Sequence, residues 1–223
     1  MKIKPLRISL EISIILISLL GIFSENYYSF GEQFWFFTVQ TNIFVVIFES
    51  ILLITNLFPK GSKASNLTAK KWFNFLHLQV VYLITITGFV YCFILAPAAM
   101  LKNGNLLRFF SIRAILLHIF IPALTLIEYF TFSPKDQFTF KHTPLFLIYP
   151  LIYFIMVNLR VLFGGSPFTD GSYYPYFFLD PNLNNLGWGS VAIFISIALV
   201  MFWSLACLFI WINKKSANKK AHK

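Results

Sequence analysis

A chain of 223 residues that is 58% hydrophobic, 19% aromatic and only 12% charged, with a mean hydropathy of +0.73, lies outside the range of soluble globular domains, which carry about 25% charged residues. Its net charge of +10 does not point to nucleic acid, because the basic residues fall in the gaps between apolar runs, where they set membrane topology. Cys92 and Cys207 both lie inside apolar runs and make neither a disulfide framework nor a metal site.

Six runs reach the roughly 20 apolar residues that a spanning helix needs: 8–24, 34–58, 73–96, 109–131, 143–163 and 189–212. They are too long and too continuous for the alternating strands of a membrane barrel. The expected fold is therefore all-α, a polytopic six-helix bundle forming one integral membrane domain over 1–223. The first run has a basic start, but Ser24-Glu25-Asn26-Tyr27-Tyr28 follows it in place of a small-x-small cleavage pattern, so it reads as a retained anchor.

The connections alternate in charge. Lys2, Lys4 and Arg7 precede the first span, and 25–33 holds no Lys or Arg but has Glu25 and Glu32. Lys60, Lys63, Lys70 and Lys71 fill 59–72, Lys102 and Arg108 lie in 97–108, and Lys135 and Lys141 lie in 132–142. The connection 164–188 has no basic residue and holds Asp170 and Asp180, and the tail carries Lys214, Lys215, Lys219, Lys220 and Lys223. Placing both termini in the cytoplasm puts fourteen basic residues inside and two outside, which gives an N-in, C-in topology. The connection 164–188 is rich in Tyr, Phe and Pro and sits on the outer side. It reads either as an interfacial aromatic belt or as a lid over the outer mouth.

Polar residues inside the spans carry the chemistry. At 1.5 Å per residue, Thr38 lies about 6 Å and His118 about 13 Å from the outer surface. Arg113, Asn158 and Arg160 also lie toward the outer ends of their helices. At about 100° per residue, Thr38, Thr41, Asn42 and Glu49 share one face of the second span while Gln40 points away. Ser111, His118 and Thr125 are seven apart and share a face of the fourth. An intramembrane His is a functional candidate by default, and His beside Thr can make an activated nucleophile. The structural alternatives are a Thr bonded to its own i−4 carbonyl and an Asn or His acting as interhelical glue. His77 reads as interfacial, His142 as a loop residue, and Glu128 as able to reach the interface. Glu11 and Glu49 need a basic partner or a proton. Arg113 and Arg160 either snorkel to headgroups or clamp an anion.

Three blocks carry a family resemblance: Trp35-Phe36-Phe37-Thr38, then His118-Ile119-Phe120-Ile121-Pro122-Ala123-Leu124-Thr125-Leu126-Ile127-Glu128, then Tyr174-Pro175-Tyr176-Phe177-Phe178-Leu179-Asp180. In this order they resemble the androgen-induced protein family of membrane threonine hydrolases. Phe37-Thr38-Val39-Gln40-Thr41-Asn42 is similar to bacterial six-helix membrane proteins on a branch of that relationship. The resemblance implies a Thr nucleophile at Thr38, a His base at His118, and fatty-acid esters of hydroxy fatty acids as substrates. The spacing departs from the family's in two places: Trp35 precedes the Thr by three and Pro122 follows the His by four. Thr41, one turn on from Thr38, is the second candidate nucleophile.

The sequence thus leads to a membrane-embedded hydrolase of lipid (fatty-acyl) esters in a bacterial plasma membrane, with membrane lipids and a lipid ester as partners and no metal or organic cofactor. Asn42 is the preferred oxyanion donor, and Gln40, Thr41, Arg113, Asn158 and Arg160 are the other candidates around the substrate. The alternative is a non-catalytic six-helix protein, a small transporter or a lipid-binding scaffold, in which the same polar stripe is a path or glue.

Overall fold

The structure is a computed structural model describing residues 3–24, 28–59, 61–62, 65–103, 111–135, 137–182 and 187–221. Among these, all regular structure is helical. The α-helices are α1 (Ile3–Phe23), α2 (Phe30–Gln33), α3 (Phe37–Leu57), α4 (Lys71–Val90), α5 (Ala96–Asn103), α6 (Ile112–Ile115), α7 (Ile121–Phe132), α8 (Thr143–Phe146), α9 (Ile148–Leu162) and α10 (Trp188–Ala221). Six helical stretches are long and apolar enough to cross a membrane: Lys4–Phe23, Phe37–Leu57, Lys71–Leu101, Ile112–Phe132, Phe140–Leu162 and Trp188–Ser216.

The boundaries differ from those expected of hydropathy where local chemistry overrides it. Residues 34–36 form a turn, because the Ser29–Glu32 capping box starts the separate one-turn helix α2 ahead of α3. The fifth span is broken at Leu147 between α8 and α9. Pro150 has no N–H to offer the Phe146 carbonyl four residues back, which removes the bond that would make the two continuous. The sixth helix continues beyond 212 through the Lys-rich segment to Ala221. The expected start of the fourth span at Phe109, the loop residues Glu25, Lys60, Lys63 and Arg108, and the terminal Lys2 and Lys223 lie outside the described residues.

Among the described residues, two π-helical turns interrupt these helical stretches. One, Tyr91–Leu95, joins α4 to α5, and the other, Leu116–Phe120, joins α6 to α7. Each ends two residues before a proline, Pro97 and Pro122. A proline inside a helix lacks the i→i−4 donor and its ring crowds the i−4 carbonyl. Widening the preceding turn relieves this, and the amides of Ala96 and Ile121 then reach back five residues to the carbonyls of Tyr91 and Leu116.

The chain packs as two compact units, Met1–Glu25 with Thr38–Gln137, and Asn26–Phe37 with Phe138–Lys223. The first unit holds α1, α3, α4, α5, α6 and α7. Its centre is a layer of four fully buried aliphatic residues, Ile14, Val45, Ile84 and Ile121, one from each of α1, α3, α4 and α7. A second cluster, Phe48, Leu52 and Phe73, lies further along α3. Gly88 shows how close the packing is: a Cβ there would stand 2.6 Å from the His118 carbonyl oxygen.

The second unit holds α2, α8, α9, α10 and the connection after α9. Trp203 of α10 donates its indole N–H to Thr143 Oγ1 at 3.0 Å. Gly164, at φ +77°, ends α9 in the left-handed conformation. The connection after it is latched to residues 28–36 of the same unit by two acidic side chains. Glu32 accepts from the Thr169 amide and hydroxyl, and Asp170 accepts from Tyr28 at 2.8 Å. Tyr28, Phe36, Phe168 and Tyr176 pack their rings together beside these latches.

Candidate active site

Thr38 and His118 come together in the first unit. Thr38 stands in the first turn of α3 and is 8% exposed, and His118 is the middle residue of the π turn that Pro122 forces. Thr38 Oγ1 lies 3.1 Å from His118 Nε2. The other ring nitrogen, Nδ1, lies 3.0 Å from the Ala114 carbonyl oxygen. A carbonyl only accepts, so Nδ1 carries the proton in this contact. In the neutral ring, Nε2 then offers its lone pair to the Thr38 hydroxyl, the polarity a general base requires. Tyr91, from the other π turn, stacks on the imidazole with centroids 3.9 Å apart and planes inclined by 22°. The two proline-induced turns therefore meet at this ring.

The rest of the α3 stripe is buried, but its polar groups serve other partners. Thr41 Oγ1 pairs with Thr87 Oγ1 of α4 at 2.8 Å and donates to the Thr38 carbonyl at 3.1 Å. Asn42 directs its amide N–H groups to the Thr38 carbonyl at 2.8 Å and the Leu117 carbonyl at 3.5 Å. It therefore bridges α3 to the turn that carries His118, and those donors are spent on main-chain oxygens. Gln40, expected to point away from this stripe, is buried as well, 4% exposed.

The extra residue of the π turn alters the face expected on the fourth span. It rotates the downstream residues by about 100° relative to an unbroken helix, so the seven-residue spacing from His118 to Thr125 no longer marks a common face. Thr125 bonds the Ile121 and Pro122 carbonyls of its own helix.

Arg113 donates to the Ile22 and Ser24 carbonyls at 3.1 and 2.9 Å, capping the end of α1. Such a cation at a helix C-terminus also meets the negative end of the helix dipole. Arg160 and Asn158 belong to the second unit. Arg160 donates to the Tyr173 and Ser166 carbonyls and lies over the Phe168 and Trp35 rings at 4.3 and 5.2 Å, organising the connection after α9. Asn158 bonds the Phe154 carbonyl one turn back.

At the other end of the first unit lies a cluster whose members stand in the sequence as scattered single residues. Arg7 reaches Glu11 Oε1 and Glu128 Oε1, each at 3.0 Å from Nε, and Asn56 also donates to Glu11. His77, expected at an interface, is 2% exposed, and Glu128 is fully buried. His77 stacks on Phe48 at 5.0 Å, and its Nδ1 lies 3.1 Å from Ser133 Oγ. The legible signal was the four-residue spacing of Arg7 and Glu11 on one helix. The partners on α4 and α7 are distant in sequence.

Outside the spans, Glu32 is held down to about 2, first by its interaction with the Ser29 side chain, then by the Ser29 amide and, more weakly, by Thr169. Burial alone would raise Asp170, but hydrogen bonds from Ser172 and Tyr28 outweigh it and hold the carboxyl below its usual range. Comparison with protein-family models, with curated proteins and with solved structures finds no match for this chain.

Proposed function

We propose that this chain is an integral protein of the plasma membrane, with both termini in the cytoplasm, that hydrolyses lipid esters through Thr38 and His118. The observation that carries the reading is the 3.1 Å contact between Thr38 Oγ1 and His118 Nε2, with Nδ1 fixed on the Ala114 carbonyl. In the proposed reaction, Nε2 takes the hydroxyl proton as Thr38 Oγ1 attacks the acyl carbonyl carbon. Collapse of the tetrahedral intermediate breaks the ester C–O bond, and the departing alkoxide takes the proton from Nε2. A water, deprotonated by the same nitrogen, then attacks the acyl-threonine and releases the fatty acid, restoring Thr38. The first turn of α3 lies at the positive end of the helix dipole, which favours the negative charge that develops on the oxygens. The resemblance to the androgen-induced protein family supports the same pair and a fatty-acyl ester as substrate.

The test is covalent labelling of the detergent-solubilised protein by a fluorophosphonate probe, together with hydrolysis of fatty-acyl esters. Labelling should require both residues and be absent in Thr38→Ala and His118→Ala. A non-catalytic membrane bundle is the second reading, favoured by the use of Thr41 and Asn42 as interhelical bonds. Wild-type protein that takes no probe and cleaves no ester would establish that reading instead.

A further inference from the structure

We infer that Glu49 of α3, His77 of α4 and Glu128 of α7 form a binding site for one divalent transition-metal ion of the Zn2+ or Mn2+ class. The inference does not rest on the Thr38–His118 reading. It rests on three observations about the buried cluster at the other end of the first unit.

The first is geometric. Each of the three residues offers one ligand atom, and these atoms lie within 4.8 Å of one another. His77 Nε2 and Glu128 Oε2 are 3.3 Å apart without the alignment of a hydrogen bond. In a tetrahedral site with metal–ligand distances of about 2.0–2.2 Å, neighbouring ligand atoms stand about 3.3–3.6 Å apart. That pair already has the spacing of one edge of such a site, and a small movement of the Glu49 side chain completes a face.

The second is an unpartnered group. Glu49 is 2% exposed and its Oε2 has no hydrogen-bond partner. A carboxylate taken out of water without a hydrogen bond or a counter-charge is costly. The basic group of the cluster, Arg7, is already committed to Glu11 and Glu128. A divalent cation bound between Glu49, His77 and Glu128 would supply the counter-charge that the Glu49 carboxylate lacks.

The third is the surrounding support. The Ser133 hydroxyl holds His77 Nδ1 at 3.1 Å, which turns Nε2 toward Glu128. Arg7 holds Glu128 Oε1, leaving Oε2 directed to His77. Metal-binding imidazoles and carboxylates are commonly fixed in this way by an outer partner. The imidazole and carboxylate donor set suits Zn2+ or Mn2+, and three protein ligands leave at least one position for water. The ion would tie α3, α4 and α7 together at this end of the unit.

The experiment uses the full chain in detergent, stripped with EDTA and dialysed. The stripped protein is titrated with Zn2+, with Mn2+, and with Co2+ as a spectroscopic probe. The wild type should bind one equivalent of Zn2+ or Mn2+ per chain and give a visible Co2+ spectrum that Zn2+ displaces. Its thermal midpoint should rise with the metal, because a ligand of the folded state stabilises that state. Ser133→Ala should weaken binding about 10–100-fold, and the near-isosteric Glu49→Gln should weaken it further and abolish the thermal shift. Thr38→Ala should bind metal as the wild type does, which keeps this result separate from the esterase assay. Folded wild type with no stoichiometric binding would overturn the inference, as would Glu49→Gln and His77→Ala proteins that bind as tightly as wild type. The wild-type titration alone decides the matter if a variant fails to fold.

Discussion

A threonine hydroxyl is a weak nucleophile until a base takes its proton, and under the proposed reaction the 3.1 Å Thr38–His118 contact is the path of that transfer. Three groups fix the His118 ring: the Ala114 carbonyl sets the tautomer, Tyr91 covers one ring face, and the π turn aims Nε2. Thr38→Ala and His118→Ala should each lower ester hydrolysis by about 10³-fold or more. The double variant should be no worse than either, because nucleophile and base act as a unit. Thr38→Ser should keep part of the activity, since the hydroxyl survives while the stiff β-branched rotamer is lost. Initial rates on a fatty-acyl ester measure all four proteins. An active Thr38→Ala beside an inactive His118→Ala would move the nucleophile to Thr41 or to water. In the sequence Thr41 stands as a second candidate beside Thr38. Only the fold distinguishes their surroundings, because Thr41 Oγ1 is taken up by Thr87.

The helices owe their irregularities to particular residues. Pro122 cannot donate to the His118 carbonyl, and the wide turn that results sets the direction of the imidazole. Pro122→Ala restores that donor and lets the turn close to regular α-helix, rotating His118 away from Thr38. The expected outcome is a thermal midpoint at or above that of wild type with probe labelling lost. Full labelling in Pro122→Ala would show that the turn does not aim the base. In the second unit, Glu32 caps α2 and holds Thr169 as a carboxylate with its pKa lowered to about 2 from an ordinary 4.5. A depressed carboxylate contributes fully above its unfolded value and loses that contribution as pH falls through the folded one. The thermal midpoint of wild type should therefore exceed that of Glu32→Gln above about pH 5. The difference should shrink as pH falls toward 2. A difference that stays constant across that window would assign the effect to shape and not to charge.

At the scale of the whole molecule, six helices among the described residues are long and apolar enough to span a membrane. Under the proposed topology, an even number of crossings returns the chain to the side where it began. The asymmetry of fourteen basic residues against two makes that side the cytoplasm. A reporter fused after Lys223 should behave as cytoplasmic in a bacterial host, and an external C-terminus would reject that topology. The six spans were legible because hydropathy is a property of consecutive residues, which no tertiary contact has to supply. The polar residues of α3 were legible only in part: Thr38, Thr41, Asn42 and Glu49, expected on one inward face, are all buried, and so is Gln40, expected on the other.

The sequence by itself determined which segments are apolar helices and which polar residues lie inside them, because composition and the 3.6-residue period are local. It also supplied the prolines whose missing donors widen the two turns. Tertiary structure decided which polar residues meet. Helical periodicity gives a direction around one axis but no register between axes, and each π turn resets that direction by a residue. That is why the fourth-span face of Ser111, His118 and Thr125 does not persist, and why Arg113 proves to cap α1. It is also why Arg7, Glu11, Glu49, His77 and Glu128, spread over 122 positions, could be recognised as one buried cluster only after α1, α3, α4 and α7 had packed. A buried charge needs its counter-charge within a few ångströms, and only packing brings such distant residues that close.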